Sequence, residues 1–157
     1  MASFRFFGVN CNVHPSFLLI VLVFTGLYRD LSFVNVILGL MLTVSLLVHE
    51  YGHAFAAIYF GAKPEINLEG FGGTTSYRSH LTEKQEFIVT LCGPLIQTVL
   101  IIIPFLILKF HFFENDYVNR ILYSTMKMNI FWVIFNLLPI IPLDGGKIAR
   151  YFFERFC

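Results

Sequence analysis

The sequence predicts an all-α membrane protein with about four transmembrane helices. Composition is the first reason, because 57% of the 157 residues are hydrophobic, only 13% are charged and the mean hydropathy is +0.72. An ordinary soluble domain is less apolar than this. Length is the second reason, since 157 residues leave room for about four spans of ~20 residues and for no sizeable soluble domain. We therefore expect residues 1–157 to form one integral membrane domain.

Four apolar runs follow one another along the chain. The first, from about Pro15 to Tyr28, is short for a span, and the second extends from about Leu31 to Phe60. The third covers Phe87 to Phe110 and contains Gly93-Pro94, which bends a helix but is tolerated where neighbouring helices satisfy the freed backbone. The fourth covers about Val118 to Ile141.

The connection between the second and third runs differs in composition from the rest of the chain. Charged residues are scattered from Lys63 to Glu86, and the segment Gly70-Phe71-Gly72-Gly73-Thr74-Thr75 lies in the middle. Glycines among Thr, Phe and Tyr are typical of turns between short strands. We expect a small glycine-rich hairpin or loop here.

An HEXXH motif, His49-Glu50-Tyr51-Gly52-His53, lies towards the end of the second run. Residues four apart share one face of a helix, so His49 and His53 can present two imidazoles to one cation. Glu50 can hold a water molecule and accept its proton without binding the metal. Ionisable residues are costly in an apolar segment, which indicates a function. The alternative is an interfacial histidine pair at a helix end.

Catalytic zinc usually has three protein ligands, so a third must come from elsewhere in the chain. Asp144 is the strongest candidate, because Pro139 and Pro142 break the helix before it and the paired glycines after it permit a tight backbone. Four spans would bring Asp144 and the end of the second run to the same membrane face. The other candidates are loop carboxylates, His14, His80 and His111.

With these motifs the chain resembles the site-2 protease family of intramembrane zinc metalloproteases, which carry HEXXH in one core helix and Leu-Asp-Gly in another. The resemblance is strongest to the compact bacterial branch that includes the sporulation protease activating a membrane-tethered sigma factor. It rests on ordered motifs: HEXXH, Phe71 to Thr74, Gly93-Pro94-Leu95 and Asn136 to Lys147.

The resemblance implies one zinc ion per chain, held by His49, His53 and Asp144, with Glu50 activating water. It implies hydrolysis of a peptide bond in or near a transmembrane segment of a protein substrate, with release of a membrane-tethered factor. It also assigns substrate positioning to a further set: Asn136, Phe71, Gly72 and Gly73. A strand at Phe71 to Thr74 could pair with an unwound substrate, whereas Asn136 could instead simply bond between helices.

The implied partners are a transmembrane or membrane-associated protein substrate, a regulatory membrane partner and the lipid bilayer. A net charge of +1, spread thinly, argues against nucleic acid. The membrane side that holds both termini and the 62–86 connection has more Lys and Arg than the other side. The positive-inside rule therefore predicts cytoplasmic termini and an active site towards the cytoplasmic side of a multi-pass protein.

Two other functions stay open at this point. A zinc transporter or sensor could use the same residues, although the spans offer few carboxylates or histidines for a continuous polar path. A catalytically inactive member of the family could bind transmembrane segments without cutting them, although Glu50 is intact. In the compact branch further spans follow the Leu-Asp-Gly segment, whereas this sequence ends at Cys157. A natural minimal form and a chain lacking further C-terminal spans are both open explanations.

Overall fold

The computed structural model describes residues 2–70 and 72–156. These residues form, in chain order, β1 (Ala2–Phe6), β2 (Val9–Val13), α1 (Phe17–Thr25), α2 (Phe33–Tyr59), β3 (Pro64–Glu69), β4 (Gly72–Tyr77), α3 (Glu83–Gln97), α4 (Val99–Lys109), α5 (Asp116–Asn136) and α6 (Asp144–Phe156). The fold is mostly helical, with one small sheet.

The four strands form a single sheet in the order β1-β2-β3-β4. Phe7 and Gly8, both at positive φ, close the β1–β2 hairpin in the manner of a two-residue turn. Strand β2 pairs in parallel with β3, and β3 pairs antiparallel with β4. The parallel pair needs a crossover, and α1 and α2 form it. The sheet is thereby held beside α2.

The sheet corrects the predicted fold class. The β3–β4 pair is the glycine-rich hairpin that the sequence predicted, whereas β1 and β2 were not predicted. Composition counts apolar residues and does not distinguish a short strand from a helix. Val9 and Cys11 are buried and alternate with Asn10, which is the period-two pattern of a half-buried strand. The all-α description is therefore replaced by a mostly helical fold with a four-stranded sheet.

Two helical segments of the described chain are long and apolar enough to cross a membrane, Phe33–Tyr59 and Glu83–Lys109, with 27 residues each. They correspond to the second and third predicted runs. Helix α1, at nine residues, is too short to cross a bilayer alone, and α5 carries charged residues within its 21 residues. Length and hydropathy therefore reproduce two of the four predicted spans.

Helix α2 lies at the centre of the packing. It contacts α3, α1, α5 and the sheet. Its buried Leu42, Leu46 and Ala54 share a core with Ile66 of β3 and Trp132 of α5. The outer faces of the helices instead expose many large apolar side chains, a surface suited to lipid. Together with the two long helices, this surface supports a membrane location.

Helices α2 and α3 approach each other closely at a glycine. A Cβ atom added at Gly52 would lie 2.5 Å from the backbone oxygen of Cys92 and 2.8 Å from the Cα of Gly93. These are backbone atoms that no rotamer change can move away. The fourth residue of the HEXXH motif is therefore small because two helix backbones touch there.

Gly52→Ala is expected to separate α2 from α3 and to lower the free energy of unfolding by about 1–3 kcal/mol, the usual cost of overpacking. The measurement is the apparent melting temperature of the detergent-purified protein. Gly39→Ala is the matched control in the same helix, because its added Cβ would meet only side-chain atoms, with Val21 Cγ1 at 3.1 Å. Equal melting temperatures for wild type and Gly52→Ala would rule out so close a contact.

Candidate metal centre

Three side-chain atoms from two distant parts of the chain meet in the interior. His49 and His53 lie on one face of α2, and their Nε2 atoms are 3.1 Å apart. Asp144, the first residue of α6, places Oδ2 3.1 Å from His49 Nε2 and 3.2 Å from His53 Nε2. All three residues are buried. The structure thus joins residues 95 positions apart into one cluster.

The spacing of this cluster fits a zinc ion. Zinc binds histidine nitrogen and carboxylate oxygen at about 2.0–2.2 Å, which places neighbouring ligand atoms of a tetrahedral site roughly 3.3 Å apart. The three edges here measure 3.1, 3.1 and 3.2 Å. Nitrogen and oxygen are also the donor types that catalytic zinc uses. The three atoms therefore match one face of a zinc tetrahedron.

The outer nitrogens of both rings face oxygens. His53 Nδ1 lies 2.8 Å from the backbone oxygen of Val89, and His49 Nδ1 lies 2.9 Å from Gln97 Oε1. An oxygen of this kind accepts a hydrogen bond, so each Nδ1 carries the proton of a neutral ring and each Nε2 has a lone pair. Two lone pairs and a carboxylate oxygen then face one another, an arrangement that a cation relieves.

Glu50 lies beside the two histidines, with a fixed carboxylate. It is 3% exposed, and its Oε2 accepts a hydrogen bond of 2.7 Å from the Thr75 hydroxyl of β4. His49, Glu50 and His53 each offer a ligand atom within 4.8 Å of the others. The structure therefore places Glu50 next to the cluster and ties it to the sheet.

Glycines leave room for these side chains. A Cβ at Gly73 would lie 2.5 Å from both Cγ and Oε1 of Glu50, and a Cβ at Gly93 would collide with the His53 ring. Gly73 therefore leaves space for the Glu50 side chain, in addition to the role in substrate positioning expected from the sequence. Gly93, expected only to kink α3, is the reason the His53 ring fits against that helix.

A cavity of about 1140 Å³ opens from the cluster. One wall is strand β4, whose residues from Gly72 to Tyr77 all line it. Within the described strands β4 pairs only with β3, so its second edge is unpaired. Asn136, at the end of α5, lines another wall together with Trp132. The cavity can thus admit an extended chain beside the cluster.

Charged groups also line the cavity: Glu69, Glu83, Glu86, Lys147, Arg150 and Glu154. Lys147 Nζ lies 3.6 Å from Asp144 Oδ1. Burial, and then the neighbouring Glu86 carboxylate, raises the pKa of the Tyr77 phenol above its usual range. The phenol, which is neutral at physiological pH even at its usual pKa, lines the cavity as an uncharged polar group.

The other sequence candidates lie elsewhere. His14, His80 and His111 are exposed and do not line the cavity, and His14 Nδ1 instead hydrogen-bonds with Ser16. Gly72 and Gly73 do line the cavity, as does Asn136. Phe71 lies outside the described residues.

Sequence reasoning missed several neighbours of the cluster: Thr75, Gly93, Gln97 and Asn129. Gln97 and Asn129 are both 0% exposed. A signal for these two existed, because each is a polar residue inside an otherwise apolar run, where an unpartnered polar group is costly. Thr75 gave no comparable signal, since it is one of two adjacent threonines in the glycine-rich segment.

Several known proteins are similar to this chain. Residues 111–157 match the model of peptidase family M50. A zinc metalloprotease of Methanocaldococcus jannaschii is 31% identical over 149 residues, covering 94% of this chain and 43% of that protein. Stage IV sporulation protein FB of Bacillus subtilis is 34% identical over 155 residues, covering 94% of this chain and 49% of that protein. This chain therefore spans less than half the length of these curated relatives.

A solved structure shows the same fold. The site-2 protease from Methanocaldococcus jannaschii matches with a TM-score of 0.78 and 26% identity, covering 99% of this chain and 73% of that chain. The identities to the archaeal and the sporulation relative, 31% and 34%, are close together. They support the family as a whole and single out no branch within it.

Gly93→Ala is expected to displace the His53 ring and to reduce bound zinc well below the wild-type amount. The measurement is zinc per chain by elemental analysis of the detergent-purified protein. Cys92→Ala is the neighbouring control and should bind zinc as the wild type does, because the Nδ1 partners of the two rings are Gln97 and Val89 and the Cys92 side chain is only partly buried. Wild-type zinc content in Gly93→Ala would contradict the close packing of Gly93 on His53.

Proposed function

Because this chain belongs to the site-2 protease family, peptidase family M50, we propose that it is a zinc-dependent intramembrane endopeptidase. It hydrolyses a peptide bond in or near a transmembrane segment of a protein substrate and releases a membrane-tethered factor. One observation carries the proposal: the cluster of His49, His53 and Asp144, with Glu50 beside it, opens into a cavity walled by an unpaired strand edge.

The proposed metal ligands are His49, His53 and Asp144, through Nε2, Nε2 and Oδ2. Zinc bound there would supply a Lewis acid that lowers the pKa of a water molecule and polarises the scissile carbonyl. The Nδ1 hydrogen bonds of the two rings hold both Nε2 lone pairs towards the ion. Burial of the three ligands limits competition from bulk water.

Glu50 is the proposed general base and acid. The Thr75 hydroxyl holds Oε2, so the carboxylate keeps one orientation and Oε1 is the oxygen that accepts a proton from the attacking water. As the carbon–nitrogen bond breaks, Glu50 returns that proton to the leaving amine. The proton count balances over the cycle, and Glu50 ends ionised as it began.

We propose that the substrate binds in the cavity as an extended chain along β4. A transmembrane helix satisfies its own backbone hydrogen bonds, so it must unwind before cleavage, and a free strand edge offers new partners. The proposed positioning residues are Phe71, Gly72, Gly73 and Asn136. This role is supported for Gly72, Gly73 and Asn136 because they line the cavity. Phe71 is retained from the family motif alone.

The topology of the proposal follows from charge and length. Residues 1–157 would form a single protease core that crosses the membrane about four times. Helices α2, α3–α4 and α5 would supply three of the crossings, and the apolar run from about Pro15 to Tyr28, which contains α1, would supply the fourth. The distribution of Lys and Arg supports cytoplasmic termini and an active site towards that side. The proposed partners are a membrane-protein substrate, a regulatory membrane protein and the lipid bilayer.

The alternative functions are not favoured. The archaeal relative is named as a zinc metalloprotease and the solved structure as a site-2 protease, and neither name describes a transporter or sensor. An inactive protein would have no need of a buried carboxylate held by a hydroxyl beside the histidine pair.

Glu50→Gln is expected to abolish peptide cleavage and to leave zinc content unchanged, because the carboxylate moves a proton and is not a proposed ligand. The assay uses a panel of single-span peptides carrying a fluorophore and quencher, reconstituted with the protein in detergent. Glu114→Gln is the control, since this carboxylate is exposed and does not line the cavity. Cleavage by Glu50→Gln at the wild-type rate would overturn the assigned mechanism.

Thr75→Val is expected to lower the cleavage rate by about tenfold or more, because a freed carboxylate loses its orientation and misplacement of a catalytic group is costly. Thr75→Ser keeps the hydroxyl and should retain most of the activity. Zinc content should not change in either variant. Equal rates for the valine and serine variants would show that the hydroxyl does not position Glu50.

A further inference from the structure

Two amide side chains are fully enclosed behind the metal centre. Gln97 is the last residue of α3, Asn129 lies in the middle of α5, and both are 0% exposed. Neither is assigned a part in the proposed hydrolysis. Burying an amide costs free energy unless its hydrogen bonds are made, so the partners of these two side chains are informative.

The two amides form a chain of hydrogen bonds from α5 to the metal centre. Asn129 Nδ2 donates to the backbone oxygen of Thr125 at 2.9 Å. Gln97 Nε2 donates to Asn129 Oδ1 at 3.2 Å. His49 Nδ1 lies 2.9 Å from Gln97 Oε1. The chain therefore starts at a backbone carbonyl and ends at a proposed zinc ligand.

The backbone carbonyl fixes the direction of every bond in this chain. The Thr125 oxygen can only accept, so Asn129 must turn its NH₂ group towards it and its oxygen towards Gln97. Gln97 must then turn its NH₂ group towards Asn129 and its oxygen towards His49. If either amide were rotated by 180°, two donors or two acceptors would face each other in the buried interior. Each unsatisfied group there costs about 1–3 kcal/mol. The proton of neutral His49 is therefore held on Nδ1.

Asp144 competes for that same proton. Its Oδ2 lies 3.1 Å from His49 Nε2, so a ring protonated on Nε2 would donate to the carboxylate. That tautomer would cover the lone pair that zinc needs and would occupy the Asp144 oxygen as well. Gln97 opposes this arrangement by accepting from Nδ1.

The two histidines differ in how they are held. His53 Nδ1 donates directly to the backbone oxygen of Val89, which no substitution removes. His49 depends on a side chain, and that side chain depends on a second one. Of the two histidines, only His49 therefore has a tautomer that substitutions can change while every proposed ligand stays in place.

We propose that Gln97 and Asn129 are positioning residues that hold His49 in the Nδ1-protonated tautomer and so set the zinc affinity of the centre. The inference rests on the proposed function, because it assumes that the cluster binds zinc. It adds that zinc affinity is controlled from α5, through two amides that do not touch the ion.

The test compares Gln97→Glu with Gln97→Met in the full chain in detergent. The measured quantity is the zinc dissociation constant, obtained by competition with a chelator of known affinity. The introduced carboxyl group keeps an oxygen that accepts from His49 Nδ1, as the amide oxygen does. A methionine side chain fills the space without an acceptor. We expect Gln97→Glu to stay within a few-fold of wild type and Gln97→Met to lose about 10- to 100-fold.

Asn129→Leu tests the row of hydrogen bonds from the end that lies away from the metal centre. The substituted residue does not itself contact His49. It releases Gln97 to turn over, so zinc affinity should fall by several-fold but less than in Gln97→Met. Asn119→Ala removes an amide near the start of the same helix, whose exposed hydrogen bond goes to the Phe113 oxygen, and should leave the dissociation constant unchanged. If Gln97→Met does not fold, the comparison of Asn129→Leu with Asn119→Ala carries the test.

Absorption of the cobalt(II)-substituted proteins gives a second readout. Gln97→Glu should reproduce the wild-type d–d bands, whereas Gln97→Met should shift or weaken them, because His49 binds differently.

The order of the variants separates positioning from packing. A role in packing alone predicts that the methionine variant is tolerated and that the glutamate variant is the damaged one, and that result would overturn the inference. Unchanged affinity in both Gln97→Met and Asn129→Leu would overturn it as well. A wild-type protein that binds no zinc would instead refute the proposed function itself.

Discussion

The meeting of Asp144 with the two histidines of α2 is the contact on which the rest of the structure depends. Three ligand atoms lie 3.1–3.2 Å from one another although Asp144 is 95 positions away from His49. The chain must turn sharply after α5 to bring α6 there. Gly145 and Gly146 permit this turn, because a Cβ at either would collide with the backbone of residues 137–141. The small residues after Asp144 are therefore part of the metal centre's construction.

The surrounding helices then have to hold polar groups inside an apolar fold. Three of the proposed site residues have a partner that fixes them: Val89 for His53, Gln97 for His49 and Thr75 for Glu50. These partners come from α3 and β4, so the centre joins both α3 and the sheet to α2. Backbone contact at Gly52 keeps α3 close enough for its carbonyl and its amide to reach the rings. The close approach of α2 and α3 therefore both packs the helices together and positions the two histidine rings.

The sequence was informative wherever one local pattern had one physical meaning. HEXXH puts two imidazoles on one helix face, and the two long apolar runs appear as Phe33–Tyr59 and Glu83–Lys109. The meeting of Asp144 with the histidines was also expected, through a broken helix and a shared membrane face. Strands β1 and β2 were not predicted, because five-residue strands leave little periodicity. The amide chain was not predicted either, since Gln97 and Asn129 are linked only by the tertiary packing of α3 on α5.

The central claim is that Asp144 completes a zinc site with His49 and His53. The most direct measurement is zinc per chain in the detergent-purified wild type beside Asp144→Ala, with Asp116→Ala, a substitution in the first turn of α5, as the control. Near one zinc ion in the wild type and the control, with much less in Asp144→Ala, is the predicted result. Equal zinc in Asp144→Ala and the wild type, or none in either, would contradict the account.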